Sequence, residues 1–171
     1  MESFIGWIGG KRMLRKAILE RFPTDEVGRY IEVFGGAAWV LFAKEKKANQ
    51  LEVYNDINSN LVNLFRCVKY HCGELQREME WMLTSREQFF DCLAQGQGRG
   101  LTDIQRAARF FYTVKISFGC DNRTYATSSK QVDNAVEYLE KVRERLRGVN
   151  IENKDFALSL IHISEPTRPR L

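Results

Sequence analysis

The stretch from Tyr30 to Ala43 constrains the fold of this chain more than any other. Tyr30-Ile31-Glu32-Val33-Phe34 is strand-like, Gly35-Gly36 closes it, and Ala37-Ala38-Trp39-Val40-Leu41-Phe42-Ala43 continues as a buried helix. A second short strand, Leu51-Glu52-Val53-Tyr54, ends at Asn55-Asp56, and Asn58 or Ser59 can cap a helix through Leu61, Val62, Leu64, Phe65 and Val68. Upstream, the apolar run from Phe4 to Ile8 stops at Gly9-Gly10. A helical pattern starts at Lys11, with Met13, Leu14, Ala17, Ile18 and Leu19 on one face, and Pro23 ends it. Helix, strand, helix, strand, helix in succession predict a parallel α/β sheet joined by right-handed crossovers.

Beyond Val68 the pattern turns helical. Periodicity runs from Gly73 to Leu93 and from Thr102 to Ser117, and Gln95-Gly96-Gln97-Gly98-Arg99-Gly100 between them reads as a linker too rich in glycine for either element. Residues 118–129 form a polar loop, helical spacing returns at Val132, Val136, Leu139, Val142 and Leu146, and Val149-Asn150-Ile151-Glu152-Asn153 predicts a third core strand. The run Leu158 to Arg168 resembles a translated sequencing-library adapter, so residues 158–171 are expected to be a non-native tail and are excluded from fold reasoning.

Composition narrows the class. At 171 residues the chain has the size of one soluble domain, without the apolar run of about eighteen residues that a membrane span needs, and a cytoplasmic protein with no membrane partner is expected. Cys67, Cys72, Cys92 and Cys120 form no C-x-x-C pair, and His71 and His162 do not complete a ligand set, so reduced thiols and no metal are expected. Basic and acidic residues balance at thirteen each over residues 1–98, whereas residues 99–148 carry ten basic against six acidic. That excess points to a polyanion-facing segment.

The chemistry starts from Asp56, twenty positions after Gly36 at the end of the next strand. A backbone without side chains at Gly35 and Gly36 admits a ligand closely, and a carboxylate at the neighbouring strand tip can accept both ribose hydroxyls. A dinucleotide turn wants G-x-G-x-x-G, and the third glycine is missing here. A nucleoside cofactor without phosphate, such as S-adenosylmethionine, fits better than NAD, although the spacing alone leaves a nucleotide-dependent enzyme open. Trp7-Ile8-Gly9-Gly10-Lys11 places a glycine pair and a lysine at a helix start, an arrangement suited to a carboxylate.

Trp-x-Gly-Gly-Lys, then Glu-Val-Phe-Gly-Gly, then Tyr-Asn-Asp-Ile-Asn resemble, in order and spacing over residues 3–156, the opening motifs of the Dam-like (D12 class) adenine-specific DNA methyltransferases. The resemblance implies a partial Rossmann-like core, a parallel sheet with helices on both faces, carrying a helical target-recognition insertion. Residues 1–69 and 149–157 would be core and residues 70–148 insertion. It implies that Trp7 and Lys11 contact the amino-acid end of S-adenosylmethionine, that Phe34, Gly35 and Gly36 form the floor under it, and that Asp56 holds the ribose. Asp155 and Phe156 would face the adenine ring. Ala38 departs from the family, many of whose members have glycine there.

In the insertion, Arg106, Arg109, Lys115, Arg123 and Lys130 are expected to neutralise phosphates of double-stranded DNA, and Asn122, Arg123 and Tyr125 to reach base edges or wedge into the stack. The family's catalytic Asp-Pro-Pro-Tyr is absent from a chain whose prolines are Pro23, Pro166 and Pro169. The expectation is therefore a monomeric, inactive front portion of a methyltransferase. The alternative is a non-catalytic DNA-binding module with a vestigial cofactor fold.

Overall fold

The computed structural model describes residues 1–24, 27–126 and 132–157. Lys130 and the segment 158–171 lie outside the described residues. In chain order the elements are α1 (Arg15–Leu19), β1 (Arg29–Glu32), α2 (Trp39–Ala43), β2 (Leu51–Asn55), α3 (Ser59–Tyr70), α4 (Cys72–Glu80), α5 (Arg86–Gln97), α6 (Asp103–Ile116), α7 (Val132–Leu146) and β3 (Val149–Glu152), with a short 3-10 turn at Phe118–Cys120. The strands form one parallel sheet in the order β1-β2-β3.

Register fixes which side chains share a face. Tyr30 lies beside Glu52 and Glu32 beside Tyr54, while Glu52 pairs with Val149 and Tyr54 with Ile151. Strand residues alternate, so these six side chains point the same way. Against that face pack α2, whose Leu41 amide donates to the Glu32 carboxylate, and α3, whose Phe65 ring stacks on Tyr54 at 4.2 Å. From α7, Arg145 reaches Glu52 at 2.7 Å. Ile31 and Val53 point to the opposite face.

Glu52 is the hub of a buried ion cluster. Lys44, at the end of α2, meets Oε1 at 2.8 Å, and Arg145 meets both carboxylate oxygens while also donating to the Leu41 carbonyl. Burial pushes the Glu52 carboxyl up, but hydrogen bonds and charge from Arg145 and Lys44 outweigh it and hold the group below the usual carboxylate range. A buried charge is tolerated when it is paired and hydrogen-bonded in this way.

The helical region packs around α6, which is buried along most of its length at Ala107, Ala108, Phe110, Phe111, Tyr112, Thr113, Val114 and Ile116. A capping box starts it, with the Thr102 side chain accepting from the Gln105 amide and Gln105 accepting from the Thr102 amide. One continuous apolar core joins Phe4, Tyr54 and Phe65 near the sheet to Leu75, Phe89 and Phe111 among the helices.

The structure differs from the periodicity in three places. Gly73 to Leu93 is two helices, because Ser85 caps α5 by accepting from the Gln88 amide and Tyr112 pins the turn by donating to the Leu83 carbonyl at 2.7 Å. Gln95-Gly96-Gln97 belongs to α5 and not to a linker, since Gly96 faces open space and costs the helix only its own flexibility. Tight turns closed by Gly10 to Trp7 and Leu14 to Lys11 precede α1, so the helix begins at Arg15 and Met13 is 89% exposed instead of packed.

Candidate cofactor crevice and nucleic-acid face

The carboxyl ends of the three strands are tied together by polar side chains that bond to backbone. Asn55, 1% exposed, donates from Nδ2 to the carbonyls of Val33 and Lys154 and accepts at Oδ1 from the Lys154 amide. One buried amide thus joins the tips of all three strands. Asn153 donates to the carbonyls of Asp56 and Ile57, and the Tyr54 hydroxyl donates to the Gly36 carbonyl at 2.7 Å.

Within this frame the glycines are required by their neighbours. A Cβ on Gly35 would lie 2.2 Å from the Tyr54 ring. Gly36, at φ +48°, has the Trp7 ring against it, and a Cβ there would meet Trp7 Cδ1 at 3.1 Å. Ala38 is fully buried at φ +54°, a left-handed conformation that glycine adopts without strain. This conformation gives a physical reason for the glycine that the resemblance implies at that place.

Above the turn lies a pocket of about 180 Å3 lined by Trp7, Lys11, Phe34, Gly35, Gly36 and Asp56, among others. Six of the eight residues expected around a cofactor therefore share one concavity. Asp56 accepts from the Gly36 amide at one oxygen and from the Asn58 amide at the other, both at 2.8 Å, which fixes the carboxylate at the rim. Each carboxylate oxygen has two acceptor sites, so both remain able to accept a hydroxyl. Lys11 is exposed and donates to the Gly9 carbonyl at 3.1 Å. Gly9 and Gly10 sit in a turn six and five positions before the start of α1 at Arg15, so the pair does not open the helix as the spacing predicts.

Phe156 is half exposed and reaches the rim through Phe34, its ring centroid 5.7 Å from that ring, while Phe34 itself is 75% exposed. Asp155 is exposed and accepts from the Ala157 amide, outside the pocket lining.

Two further lining residues escaped the sequence reading. Glu32, from the end of β1, enters the wall half-buried; one of its oxygens accepts from the Leu41 amide and the Tyr30 hydroxyl. Burial pushes its carboxyl up to about 7, against the lowering pull of these donors and Arg145. Trp39 lines the same pocket beneath the guanidinium groups of Arg12 and Arg15, 5.5 and 5.4 Å from its ring. Glu32 is the last residue of β1, and the acid in Glu-Val-Phe-Gly-Gly was the available signal for it.

The residues expected to face DNA divide into two groups. Arg106, Arg109, Asn122 and Arg123 line one pocket of about 230 Å3 between α5, α6 and the loop after the 3-10 turn. Arg106 pairs with Asp103 at 2.9 Å and Arg109 with Glu78 at 3.0 Å, while Arg123 is exposed. Tyr125 is turned elsewhere: its ring packs edge-on to Phe89 at 5.6 Å, Arg86 covers it at 5.0 Å, and its backbone bridges to Ser117. Lys115 lies 5.6 Å from the centre of the Phe111 ring. Among the described residues no helix is long and apolar enough to cross a membrane, and no group of three or more His, Cys, Asp or Glu side chains could hold a metal.

A crevice at the carboxyl ends of parallel strands, with a glycine turn on one and an acid on the next, is where open α/β proteins take nucleotide-like ligands. Residues 7–155 match the family profile of the D12 class N6 adenine-specific DNA methyltransferases, and the chain belongs to that family. It is 30% identical over 144 residues to the Type II methyltransferase M1.LlaDCHI of Lactococcus lactis subsp. cremoris, a match covering 78% of this chain and 46% of that protein. With the Type II methyltransferase M.MjaIII of Methanocaldococcus jannaschii the identity is 25% over 123 residues, 69% of this chain and 38% of the relative. The chain thus spans less than half the length of these relatives.

Proposed function

We propose that this chain forms the cofactor-holding and DNA-facing part of an enzyme that methylates adenine N6 in DNA. In this reading residues 1–69 and 149–157 build the crevice for S-adenosylmethionine, and residues 70–148 face double-stranded DNA, in a monomer. The observation that carries it is the convergence of Trp7, Lys11, Phe34, Gly35, Gly36 and Asp56 on one pocket at the strand tips.

The residues present fit that cofactor. When bound, S-adenosylmethionine supplies a methyl group on a positively charged sulfur. Lys11 complements a carboxylate, Glu32 an ammonium, and Asp56 the two ribose hydroxyls. In its charged form Glu32 would repel a diphosphate beside the glycine turn, which favours this cofactor over NAD. Trp7 closes the wall against Gly36 and leans on Phe110 at 6.0 Å, shielding that side from water.

Transfer to the weakly nucleophilic adenine amine needs acceptors that hold it in line with the donor. The 171 residues contain no Asp-Pro-Pro-Tyr for that task. This chain therefore binds cofactor and DNA without itself transferring the methyl group. Incubation with DNA and methyl-labelled S-adenosylmethionine, alongside calorimetry with S-adenosylhomocysteine, tests both parts. Binding heat without label in the DNA is expected, and label in adenine would overturn the lack of transfer. Salt-dependent DNA binding with no cofactor heat would favour a non-catalytic DNA-binding module.

A further inference from the structure

The pocket in the helical insertion carries an unpaired donor and an unpaired acceptor. Among the described residues, the buried Nε of Arg106 and the buried Oδ1 of Asn122 find no hydrogen-bond partner, and both residues line the cavity. Leaving a buried donor or acceptor unmade is costly, and here one of each belongs to residues that line a single cavity. Leu93, Cys92 and Phe110 supply apolar wall.

We propose that this pocket takes one unstacked nucleobase of the DNA, an inference that rests on the DNA-facing reading above. A phosphate offers acceptors only and would use just the donor half of the Asn122 amide. A base edge offers donor and acceptor together, which is how asparagine and arginine side chains read bases. The charge balance agrees: Arg106 and Arg109 are already paired with Asp103 and Glu78, so the cavity is less cationic than its three arginines suggest. Its volume of about 230 Å3 and its apolar wall suit the face of a planar ring. A base inside a duplex has its faces covered and its pairing edge committed, so the occupant is one displaced from the stack or drawn from a single strand.

The rim is held ready. Asn122 sits at φ +56°, which asparagine tolerates, and its amide donates to the fully buried Ser117 hydroxyl at 3.0 Å. Asp121 accepts from the amides of Arg123 and Thr124 and pairs with the Thr124 hydroxyl. The ring pair Trp7–Phe110 separates this pocket from the cofactor crevice, since Trp7 lines one and Phe110 the other.

The test uses the whole chain and two short single-stranded oligonucleotides with the same number of phosphates, one carrying bases and one abasic throughout. At equal salt, fluorescence anisotropy should show the base-carrying strand bound about tenfold more tightly. Asn122→Ala, and separately Arg106→Lys, which keeps the charge but removes the Nε donor, should shrink that ratio by weakening the base-carrying strand more than the abasic one. Equal affinity for the two strands overturns the base pocket while leaving the DNA-facing reading standing. So does an Asn122→Ala variant that weakens both strands alike. Failure of the unaltered chain to bind either strand or duplex DNA, even at low salt, overturns both.

Discussion

At the strand tips, Asn55, Asp56, Asn153 and the Tyr54 hydroxyl are all tied to backbone, whereas around the insertion pocket Arg106 and Asn122 each keep a buried atom unpaired among the described residues. Both regions are polar concavities on one apolar core. The crevice spends its side chains on its own geometry, and a ligand there meets a frame that is already fixed. The insertion pocket leaves Arg106 Nε and Asn122 Oδ1 without partners among the described residues, although Arg106 and Arg109 are ion-paired. Substitutions at Asn55, Asn153 and Tyr54 should therefore register mainly as stability, those at Asp56 also as cofactor binding, and those in the second region mainly as binding.

The largest effect expected from this contrast is at the hub beneath the crevice. Glu52→Gln leaves Lys44 and Arg145 buried without their counter-charge, and urea unfolding should show a loss of about 3–5 kcal/mol. The sign with pH follows from the lowered Glu52 carboxyl. Its contribution is present above the usual carboxylate range and is lost as pH falls through its lower folded-state value. A Glu52→Gln chain as stable as the parent would show that the cluster does not hold the sheet to α7.

Next comes Gly35→Ala, whose methyl would collide with a Tyr54 ring that is itself fully buried and stacked on Phe65. Overpacking of this kind should cost about 3 kcal/mol in thermal or urea unfolding. A smaller effect concerns binding. Burial pushes the Glu32 carboxyl up to about 7, and only its charged form attracts an ammonium, so affinity for S-adenosylhomocysteine should weaken as pH falls below 7. The limit is about tenfold per pH unit. Glu32→Gln should flatten that dependence in calorimetry at pH 6 and 8; an unchanged slope would remove Glu32 from the site.

The smallest effect is at Ala38. Relief of a left-handed alanine is about 1–2 kcal/mol. Against it stand a lost buried methyl of about 0.8 kcal/mol and a more flexible unfolded chain, about 0.4–1 kcal/mol. Ala38→Gly should therefore leave stability within about 1 kcal/mol of the parent, and a much larger loss would mean that packing and not strain dominates this turn.

Much of the crevice was legible because its determinants are local. The strand before Gly35-Gly36, the cap at Asn58, which accepts from the amides of Asn60 and Leu61, and Asp56 at the next strand tip all follow from short-range pattern. What escaped depends on distant partners. Asn55 reads as a turn residue until Lys154, ninety-nine positions away, arrives beside it. Glu52 looks like an exposed strand position until Arg145 meets it across ninety-three residues. The break between α4 and α5 did carry a local sign, Ser85 three residues before Gln88, which the continuous apolar spacing obscured. In the insertion the arginines were visible as charge, but that Asp103 and Glu78 neutralise two of them was not.

The central claim is that the strand-tip pocket holds the nucleoside of S-adenosylmethionine through Asp56. Calorimetric titration of this chain with S-adenosylhomocysteine, beside its Asp56→Ala variant and beside NAD, tests it most directly. The account predicts saturable binding to the parent chain, at least about tenfold weaker binding to the variant through loss of the ribose hydrogen bonds, and none of NAD. Identical titrations of parent and variant, or NAD bound as well as the homocysteine cofactor, would contradict it.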